Sequence, residues 1–411
     1  MSRVYMDHAA TTDVVPSVIE VVAEQMRVGG NPSSLYSAGR RARATVEYAR
    51  ELIAQVVGCD SAEIIFTSGG TEADNLAVKG LYWKRRETNP QANRILVSAI
   101  EHHAVGDAAE WLEKHEGAQL VWLAPDKQGV ISPESLRHAI GDSPETVVFA
   151  TVMWANNEVG TVQPVAELAA VAAEHGIPFH TDAVQAFGAL PVNFRESGVT
   201  TMAISGHKIG GPMGVGALIA SRSAPLAPVL HGGGQERSVR SGTIDAASIA
   251  GFGEAAKVAG QKLKTERLRL AALRNRLIEG VLASIPEARL CGASPDSIQE
   301  LESGASTRRL PGNAHFIFPG CEGDSLLFLL DMAGVESSTG SACNAGVPRP
   351  SHVLLAMGLS EDEARGAQRF TLGHSSTDAD VDALLAALPA AWQRAKKAGM
   401  AGATPDAGRW N

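Results

Sequence analysis

The chain has 411 residues, and 45% of them are hydrophobic, so it can bury a large core and form more than one domain. Its 36 Lys and Arg residues and 45 Asp and Glu residues give a formal net charge of -9, which argues against a surface that binds nucleic acid or anionic lipid. Its apolar runs are shorter than the roughly 18 residues needed to cross a bilayer, and residues 1–7 lack the apolar core of a signal peptide. We therefore expect a globular, cytoplasmic protein.

Short apolar runs alternate with segments of helical period between residues 50 and 220. Helices are predicted after Thr71, after Ala104 and at residues 164–175. Strands are predicted at residues 63–67, 94–100, 119–123, 146–154, 177–181, 200–205 and 215–220. This alternation predicts an α/β fold with a mainly parallel, seven-stranded sheet that is flanked by helices on both faces.

The rest of the chain predicts a smaller α+β domain. Residues 262–285 have the pattern of a charged amphipathic helix, which we expect to link two domains. The elements predicted beyond it are strands at 313–318 and 368–372, helices at 323–332, from Pro350 and at 378–397, and a stretch rich in Gly and Ser at 337–346. We therefore assign residues 14–260 to a large domain and residues 1–13 and 261–400 to a small one, and we expect residues 401–411 to be a disordered tail.

A glycine turn at residues 68–71 follows an apolar strand and precedes a helix. The N–H groups at a helix N-terminus bind anions, and phosphate is a typical one. Gly70 and Thr71 are therefore candidate phosphate ligands, although a glycine turn into an ordinary capped helix has the same pattern.

Two further residues are predicted at strand ends, where open α/β sheets bind their ligands. Asp182 ends an apolar run, and a carboxylate buried there needs a cation such as a protonated pyridine nitrogen. Lys208 follows the Ser-Gly-His stretch after the next strand and could form a Schiff base if desolvation lowered its pKa. The ordinary alternatives are a helix-capping Asp and a solvated Lys.

The glycine turn, Asp182 and Lys208 occur in the order seen in fold type I pyridoxal-phosphate enzymes, with 26 residues between the last two, and they resemble that group. Other segments resemble the cysteine desulfurases of the class-V aminotransferase family. These segments are residues 5–12, 30–34, 101–105, 156–160, 231–237, 240–243 and 338–343. The resemblance extends from residue 5 to about residue 375, and it implies pyridoxal 5'-phosphate as the cofactor.

The resemblance implies a role for each matching residue. Lys208 would hold the cofactor and abstract the substrate Cα proton, His102 would stack on the ring and assist proton transfer, and Arg369 would bind the substrate carboxylate. Asp182 would bind the ring nitrogen. Asn156 and Gln185 would bind the ring oxygen, and Asn156 would also contact the substrate. The expected phosphate ligands are Gly70, Thr71, Ser205 and His207, together with Thr243 from the neighbouring subunit of a homodimer. Taken alone, His102 could be a core histidine, Arg369 a surface charge, and Asn156 and Gln185 turn residues.

The cysteines Cys59, Cys291, Cys321 and Cys343 are isolated in the sequence, which excludes a disulfide scaffold or a C-x-x-C metal site. The ordinary interpretation of each is a small buried side chain. Cys343, however, lies among small residues typical of a mobile loop. The resemblance implies that its thiolate takes sulfur from the substrate as a persulfide, and a loop could approach the cofactor and then carry that sulfur away.

The implied activity is therefore conversion of L-cysteine to L-alanine, with delivery of sulfur to an iron–sulfur scaffold or a tRNA thiolase. The seven residues from Cys343 to Pro350 resemble the long-loop branch of the family, which serves those acceptors. His103, Gln235 and residues 344–347 depart from the usual pattern and leave the acceptor open. The alternatives are a selenocysteine lyase or a cysteine β-eliminase on the same fold, and a sulfur carrier without catalysis.

Overall fold

The computed structural model describes residues 3–295, 298–301, 304–340 and 350–402, so Cys343 and residues 403–411 of the expected tail lie outside the described residues. The strands are β1 Val4–Tyr5, β2 Ile64–Thr67, β3 Arg94–Ser98, β4 Gln119–Leu123, β5 Val147–Thr151, β6 Phe179–Asp182, β7 Thr201–Ser205, β8 Gly216–Ala220, β9 Arg289–Leu290, β10 Ile298–Leu301, β11 Gly304–Thr307, β12 Asn313–Ile317, β13 Val335–Glu336 and β14 Ala367–Thr371. The helices are α1 Pro16–Val28, α2 Ser37–Val57, α3 Gly70–Thr88, α4 His103–Glu116, α5 Pro133–Ile140, α6 Val165–Glu174, α7 Phe194–Ser197, α8 Ala246–Ser284, α9 Gly323–Met332, α10 His352–Ala356, α11 Glu361–Arg365 and α12 Asp378–Gly402.

The central sheet has seven strands in the order β2-β8-β7-β6-β5-β3-β4. β8 runs antiparallel to both of its neighbours, and the other adjacent strands are parallel. All residues of β5, β6 and β7 are buried, as expected for strands covered by helices on both faces. The predicted α/β fold and its mainly parallel sheet are confirmed.

The parallel strands place their last residues along one edge of the sheet. Thr151, Asp182 and Ser205 are the last residues of β5, β6 and β7, which are neighbours in the sheet. Ligands of open α/β sheets bind at this carboxyl edge. The sheet order therefore brings together residues that are distant in the sequence.

A separate layer of strands and helices lies outside the central sheet. β14, β12 and β9 form an antiparallel sheet, and β1 pairs in parallel with β13. The hydrophobic core of this layer contains residues from the start of the chain and from the last third of the chain. The buried residues of this core include Val4, Met6, Leu277, Phe316, Phe370 and Leu384. A different set of buried residues, including Ile53, Phe66, Ile204 and Phe252, surrounds the central sheet.

Helix α8 is longer than predicted, because it runs over 39 residues from Ala246 instead of beginning near residue 262. The Asp245 side chain caps it by accepting the N–H groups of Ala247 and Ser248. Its N-terminal half buries Ile249 and Phe252 against the central sheet, and its C-terminal half contributes to the core that contains Leu277. α8 therefore connects the two cores, as a linking helix should.

Several predicted boundaries need correction. The strand predicted at 146–154 ends at Thr151, the helix expected from Pro350 begins at His352 because Ser351 caps it, and the final helix extends to Gly402, which includes the first two residues of the expected tail.

The long helices α1 and α2 were not predicted. Their signals are present, since α1 has proline at its first position, and the buried residues Val46, Ala49, Ile53 and Val57 of α2 have helical spacing.

A buried ion pair attaches the segment after β8 to the central sheet. Both terminal nitrogens of Arg50 donate to the Glu236 carboxylate at 2.9 Å, and the Phe66 N–H also donates to that carboxylate at 2.9 Å. Arg240 from the same segment binds Glu72 in the first turn of α3, with a shortest distance of 2.7 Å. The segment that leads to Thr243 is therefore tied to the start of α3.

No helix among residues 3–295, 298–301, 304–340 and 350–402 is both long enough and apolar enough to span a membrane.

Candidate active site

A cavity of about 410 Å³ opens at the carboxyl edge of the central sheet. Most of the predicted site residues line it: Gly70, Thr71, His102, Asp182, Gln185, Ser205, His207, Lys208 and Arg369. Asn156 and Thr243 do not line it. The fold therefore gathers residues from the central sheet, from the turn before α3 and from β14 around one space.

One end of the cavity is formed by the first turn of α3. Gly70 is its first residue, and a Cβ built there would lie 2.8 Å from Cγ2 of Val184, so a side chain would not fit. The Ser205 hydroxyl oxygen is buried and has no hydrogen-bond partner among the described residues. The first N–H groups of a helix have no partner within the helix and attract anions. This end of the cavity therefore suits a phosphate group.

His207 lies beside the same end and is held by the N-terminal segment. Its Nδ1 is 3.3 Å from the Thr11 hydroxyl. Burial, with a further effect from the Lys208 charge, lowers the pKa of His207 to about 4. At neutral pH the ring is therefore an uncharged hydrogen-bonding group.

Asp182 provides a buried carboxylate at the end of β6. Its Oδ1 accepts the Val184 N–H at 2.8 Å, and the residue is 5% exposed. Burial raises its pKa, while His102 and Lys208 act in the opposite direction. A cationic ring nitrogen would supply the counter-charge that a buried carboxylate needs.

His102 is the N-cap of α4, where its Nδ1 accepts the Ala104 N–H at 3.1 Å. In a neutral ring this acceptor role leaves the proton on Nε2. Desolvation in the cavity lowers the pKa of His102, and Asp182 opposes that shift. The cap therefore fixes both the position and the tautomer of a neutral imidazole that lines the cavity.

The Lys208 amino group is held by the turn near the start of the chain. Its Nζ donates to the carbonyl oxygens of Ala9 and Ala10, the second at 2.8 Å, and Gln185 donates to the Ala9 carbonyl at 2.9 Å. Burial and the neighbouring Arg369 charge lower the pKa of Lys208 to about 8. The neutral, nucleophilic amine is therefore accessible near physiological pH.

Arg369 reaches the cavity from β14. Its Nη2 is paired with Asp7 and its Nη1 donates to the Asn157 carbonyl, both at 2.8 Å, while Nε is buried without a partner among the described residues. The residue is 5% exposed, so it is not the surface charge that a strand edge alone would allow. These contacts orient a guanidinium that could bind a carboxylate.

The structure does not support the prediction that Asn156 binds the cofactor or the substrate. Its Oδ1 accepts the N–H groups of Glu158 and Val159 at 2.9 Å, and its Nδ2 donates to the Ile100 carbonyl at 3.0 Å. This fully buried side chain shapes the turn and has no group to spare. The next residue, Asn157, lines the cavity instead, and the Asn-Asn pair in the sequence could not distinguish the two.

The cavity residues that were missed in the sequence include two acids, Asp74 and Glu101. Asp74 and Glu101 are 1% and 3% exposed and line the cavity, as does Asp182. Asp74 lies one turn beyond the glycine turn on α3, and Glu101 directly precedes His102. Carboxyls at these positions were visible in the sequence, but only the fold shows that they are buried beside Asp182.

Thr243 and Cys343 cannot be placed in this cavity. Thr243 is exposed and does not line it. Cys343 lies outside the described residues. Both roles therefore remain predictions.

The cavity residues fit pyridoxal phosphate. An unpartnered Ser205 hydroxyl and a helix N-terminus suit its phosphate, a buried Asp182 suits its ring nitrogen, and Lys208 suits its aldehyde. The three features lie in one cavity, as binding of a single molecule requires.

Comparison with known proteins agrees with this geometry. The family model "Aminotransferase class-V" matches residues 4–384. The "IscS-like cysteine desulfurase" of Mycobacterium tuberculosis (strain ATCC 25618 / H37Rv) is 52% identical over 97% of this chain and 98% of its own length. The "Cysteine desulfurase IscS" of Clostridium botulinum (strain Kyoto / Type A2) is 42% identical over 94% of each chain. The structure of the NifS-like protein from Rickettsia africae ESF-5 has a TM-score of 0.82 at 31% identity and covers 95% of this chain and 99% of its own.

The sheet and the site at its carboxyl edge define a fold type I enzyme of the pyridoxal-phosphate class. Within that class, the chain belongs to the aminotransferase class-V family, whose members depend on pyridoxal phosphate. The resemblance to cysteine desulfurases that the sequence motifs indicated is confirmed.

Proposed function

We propose that this chain is a pyridoxal-phosphate-dependent cysteine desulfurase, which converts L-cysteine to L-alanine and transfers the sulfur to Cys343. The observation that carries the proposal is the position of Lys208, whose amine lies in one cavity with the Asp182 carboxylate and the Arg369 guanidinium. An amine, a carboxylate and a guanidinium are what the cofactor aldehyde, the ring nitrogen and the substrate carboxylate require.

When bound, pyridoxal phosphate would supply an electron-withdrawing ring that accepts the electrons released at the substrate Cα. Asp182 would face the ring nitrogen and hold a proton there. Arg369 would bind the substrate carboxylate through two parallel hydrogen bonds, with Asp7 and the Asn157 carbonyl keeping its guanidinium in place. In place of Asn156, we propose Asn157 as the asparagine that contacts the cofactor or the substrate.

Lys208 would hold the cofactor until the substrate amine replaces it, and would then take the proton from the substrate Cα as a free amine. Its lowered pKa supports this exchange of roles, because a general base works best when its pKa is near the working pH. His102, held neutral at the start of α4, would assist by moving a proton at Nε2.

Cys343 would attack the substrate sulfur as a thiolate. The carbon–sulfur bond of the substrate would break and a sulfur–sulfur bond would form, so that cysteine and the Cys343 thiol give alanine and a Cys343 persulfide. An acceptor protein such as an iron–sulfur scaffold or a tRNA thiolase would then take the persulfide sulfur. Mixing the persulfidated protein with a candidate acceptor should move the extra sulfur mass to the acceptor, and the loss of that mass as free sulfide would contradict this step.

A Cys343→Ala variant tests the proposal, with Cys59→Ala as the matched control because Cys59 is half-buried and does not line the cavity. Mass spectrometry after addition of cysteine should find one extra sulfur atom in the native protein and in the Cys59 variant, and none in the Cys343 variant. Release of sulfide from cysteine by Cys343→Ala at the native rate would refute the proposal and favour a β-eliminase.

We propose that the enzyme acts as a homodimer in which Thr243 completes the phosphate site of the other subunit. In support, Thr243 is exposed, and its segment is fastened at one end through Arg240 and Glu236. The exposed side chains of Leu35 and Tyr36 could be covered in such a dimer. Sedimentation should find a dimer, and a monomer with native cofactor affinity would contradict this assignment.

We also propose that the division into a large domain at residues 14–260 and a small domain at residues 1–13 and 261–400 corresponds to separate folding units. The two largest sets of buried residues, one around the central sheet and one that contains Leu277, support it, while a smaller set with Ile100 and Ile317 spans both domains. Calorimetry should resolve two unfolding transitions, and a single two-state transition would argue against it.

The sequence features that favour a cytoplasmic location lead us to propose that location, which a fluorescent fusion would test.

A further inference from the structure

The turn of residues 7–11, called the N-terminal turn below, holds the Lys208 amine from outside the central sheet. The carbonyl oxygens of Ala9 and Ala10 accept hydrogen bonds from its Nζ, the second at 2.8 Å. All three residues line the cavity at the carboxyl edge of the sheet. Backbone oxygens of the N-terminal turn are therefore in direct contact with the amine that would react with the cofactor.

These two carbonyl contacts fix the orientation of the neutral amine. A protonated lysine has three N–H groups, whereas the neutral amine has two N–H groups and one lone pair. With the Ala9 and Ala10 carbonyls accepting both N–H groups, the lone pair has one remaining direction, away from the turn. The turn therefore orients the electron pair that would attack the cofactor aldehyde and later take the substrate proton, and such orientation lowers a reaction barrier.

The shape of the N-terminal turn depends on the Tyr5 side chain, which does not line the cavity. The Tyr5 hydroxyl donates to the carbonyl oxygens of Asp7 at 3.0 Å and Thr11 at 2.9 Å, so it links the first and last residues of the turn. Burial raises the pKa of Tyr5 above its usual value of 10.0, so the hydroxyl keeps its proton at physiological pH.

Tyr5 and the turn are held by elements that are distant in the sequence. Tyr5 belongs to β1 and is paired with Glu336 of β13, and its ring lies edge-on to that of His8, with 4.9 Å between the ring centroids. Gln185, from the segment after β6, donates to the Ala9 carbonyl at 2.9 Å. The N-terminal turn is therefore braced from two parts of the fold.

We propose that Tyr5 is a positioning residue for Lys208, because its hydroxyl keeps the N-terminal turn in the conformation in which the Ala9 and Ala10 carbonyls orient the lone pair of the neutral amine. This inference rests on the proposed function, since it requires Lys208 to react with pyridoxal phosphate. Tyr5 acts on the amine through the backbone of the turn.

The rate of pyridoxal phosphate uptake by the cofactor-free protein, followed by the visible absorbance band at different pH values, separates orientation from protonation. Above the midpoint the amine is neutral, so the constant rate reached there reports how well it is oriented. In Tyr5→Phe this constant rate should fall about tenfold, equivalent to about 1.4 kcal/mol, which is typical of one lost hydrogen bond. The midpoint should not rise, because carbonyl acceptors favour the protonated amine and weakening them lowers the pKa of Lys208.

Tyr82→Phe is the matched control, because the Tyr82 hydroxyl donates to the Glu116 carbonyl at 3.0 Å and the residue does not line the cavity. This variant loses a hydrogen bond of the same kind and should keep the native constant rate, while thermal unfolding checks that both variants are folded.

A native constant rate in Tyr5→Phe would overturn the inference, as would an equal fall in Tyr82→Phe. A midpoint that rose toward 10.5, the ordinary pKa of a lysine, would also overturn it, because it would show an amine released into solvent instead of one that is misdirected. In these cases the native protein still takes up the cofactor and the proposed function stands. A native protein that formed no visible band with pyridoxal phosphate would remove the proposed function as well.

Discussion

The lowered pKa of Lys208 makes a prediction about how fast the cofactor-free protein takes up pyridoxal phosphate at different pH values. Only the neutral amine attacks the cofactor aldehyde. Because the pKa of Lys208 is about 8, the uptake rate should rise about tenfold for each pH unit up to about pH 8 and become constant above it. Protonation stops the reaction below that midpoint, so the rate must fall as the pH falls.

The size of the effect follows from the difference between a pKa of about 8 and the ordinary value of 10.5. At pH 7 about one amine in ten is neutral with the lower pKa, and about one in three thousand with the ordinary value, which is a ratio of about 300. Burial is the main cause and the Arg369 charge is the next, while Asp182 and Asp7 act in the opposite direction. The cavity therefore makes Lys208 reactive before any substrate arrives.

Stopped-flow absorbance, which follows the visible band of the bound cofactor after mixing, would measure this rate from pH 6 to pH 10. Arg369→Gln removes a positive charge and should move the midpoint to higher pH, whereas Arg365→Gln, at an exposed position of α11, should not move it. A rate that kept rising to pH 10, or a midpoint that did not respond to Arg369→Gln, would refute the electrostatic reasoning.

Three further predictions concern other parts of the structure. Arg369→Lys should raise the KM for cysteine by about tenfold or more, measured by alanine formation, because a lysine cannot form the two parallel hydrogen bonds to a carboxylate; an unchanged KM would contradict this role. Asn156→Ala should lower the melting temperature, because it leaves the Glu158 and Val159 N–H groups without their acceptor. Asn157→Ala should instead weaken cofactor or substrate binding with little effect on melting. The reverse result would restore Asn156 as the residue that contacts the cofactor or the substrate. Glu236→Gln should destabilise the fold by about 3–5 kcal/mol in chemical denaturation, because it breaks a buried ion pair. Glu87→Gln breaks an exposed ion pair and should destabilise the fold by less than about 1 kcal/mol. Equal effects would contradict the structural role of the buried pair.

The elements that could be predicted from the sequence are those whose signal is local. Strand β4 and helix α9 were predicted with the bounds that the structure has, since each is a short apolar run between clear breaks. The strands of the central sheet were found for the same reason, because strands buried on both faces are almost continuously apolar. Helix α8 was shortened in the prediction, since its first half is so rich in small residues that its helical period is weak.

In the candidate site, too, some features could be predicted from the sequence and others could not. That Gly70, Asp182 and Lys208 share one cavity could be predicted, because each occupies a turn or a strand end, and parallel strands bring such ends to one edge. The choice between Asn156 and Asn157 could not be made, because two adjacent asparagines differ only in the direction of their side chains, which the tight turn before Gly160 decides.

The class of fold, the order of the strands along the chain, the cofactor chemistry and the family could all be predicted from the sequence, because they depend on periodicity and on residue types at fixed spacing. The fold then sets which groups meet. It brought Asp7 to Arg369, placed Asp74 and Glu101 beside Asp182, and buried Lys208 against the turn at Ala9. These contacts join segments that are far apart in the chain, and the protonation of each group depends on neighbours that local sequence does not specify.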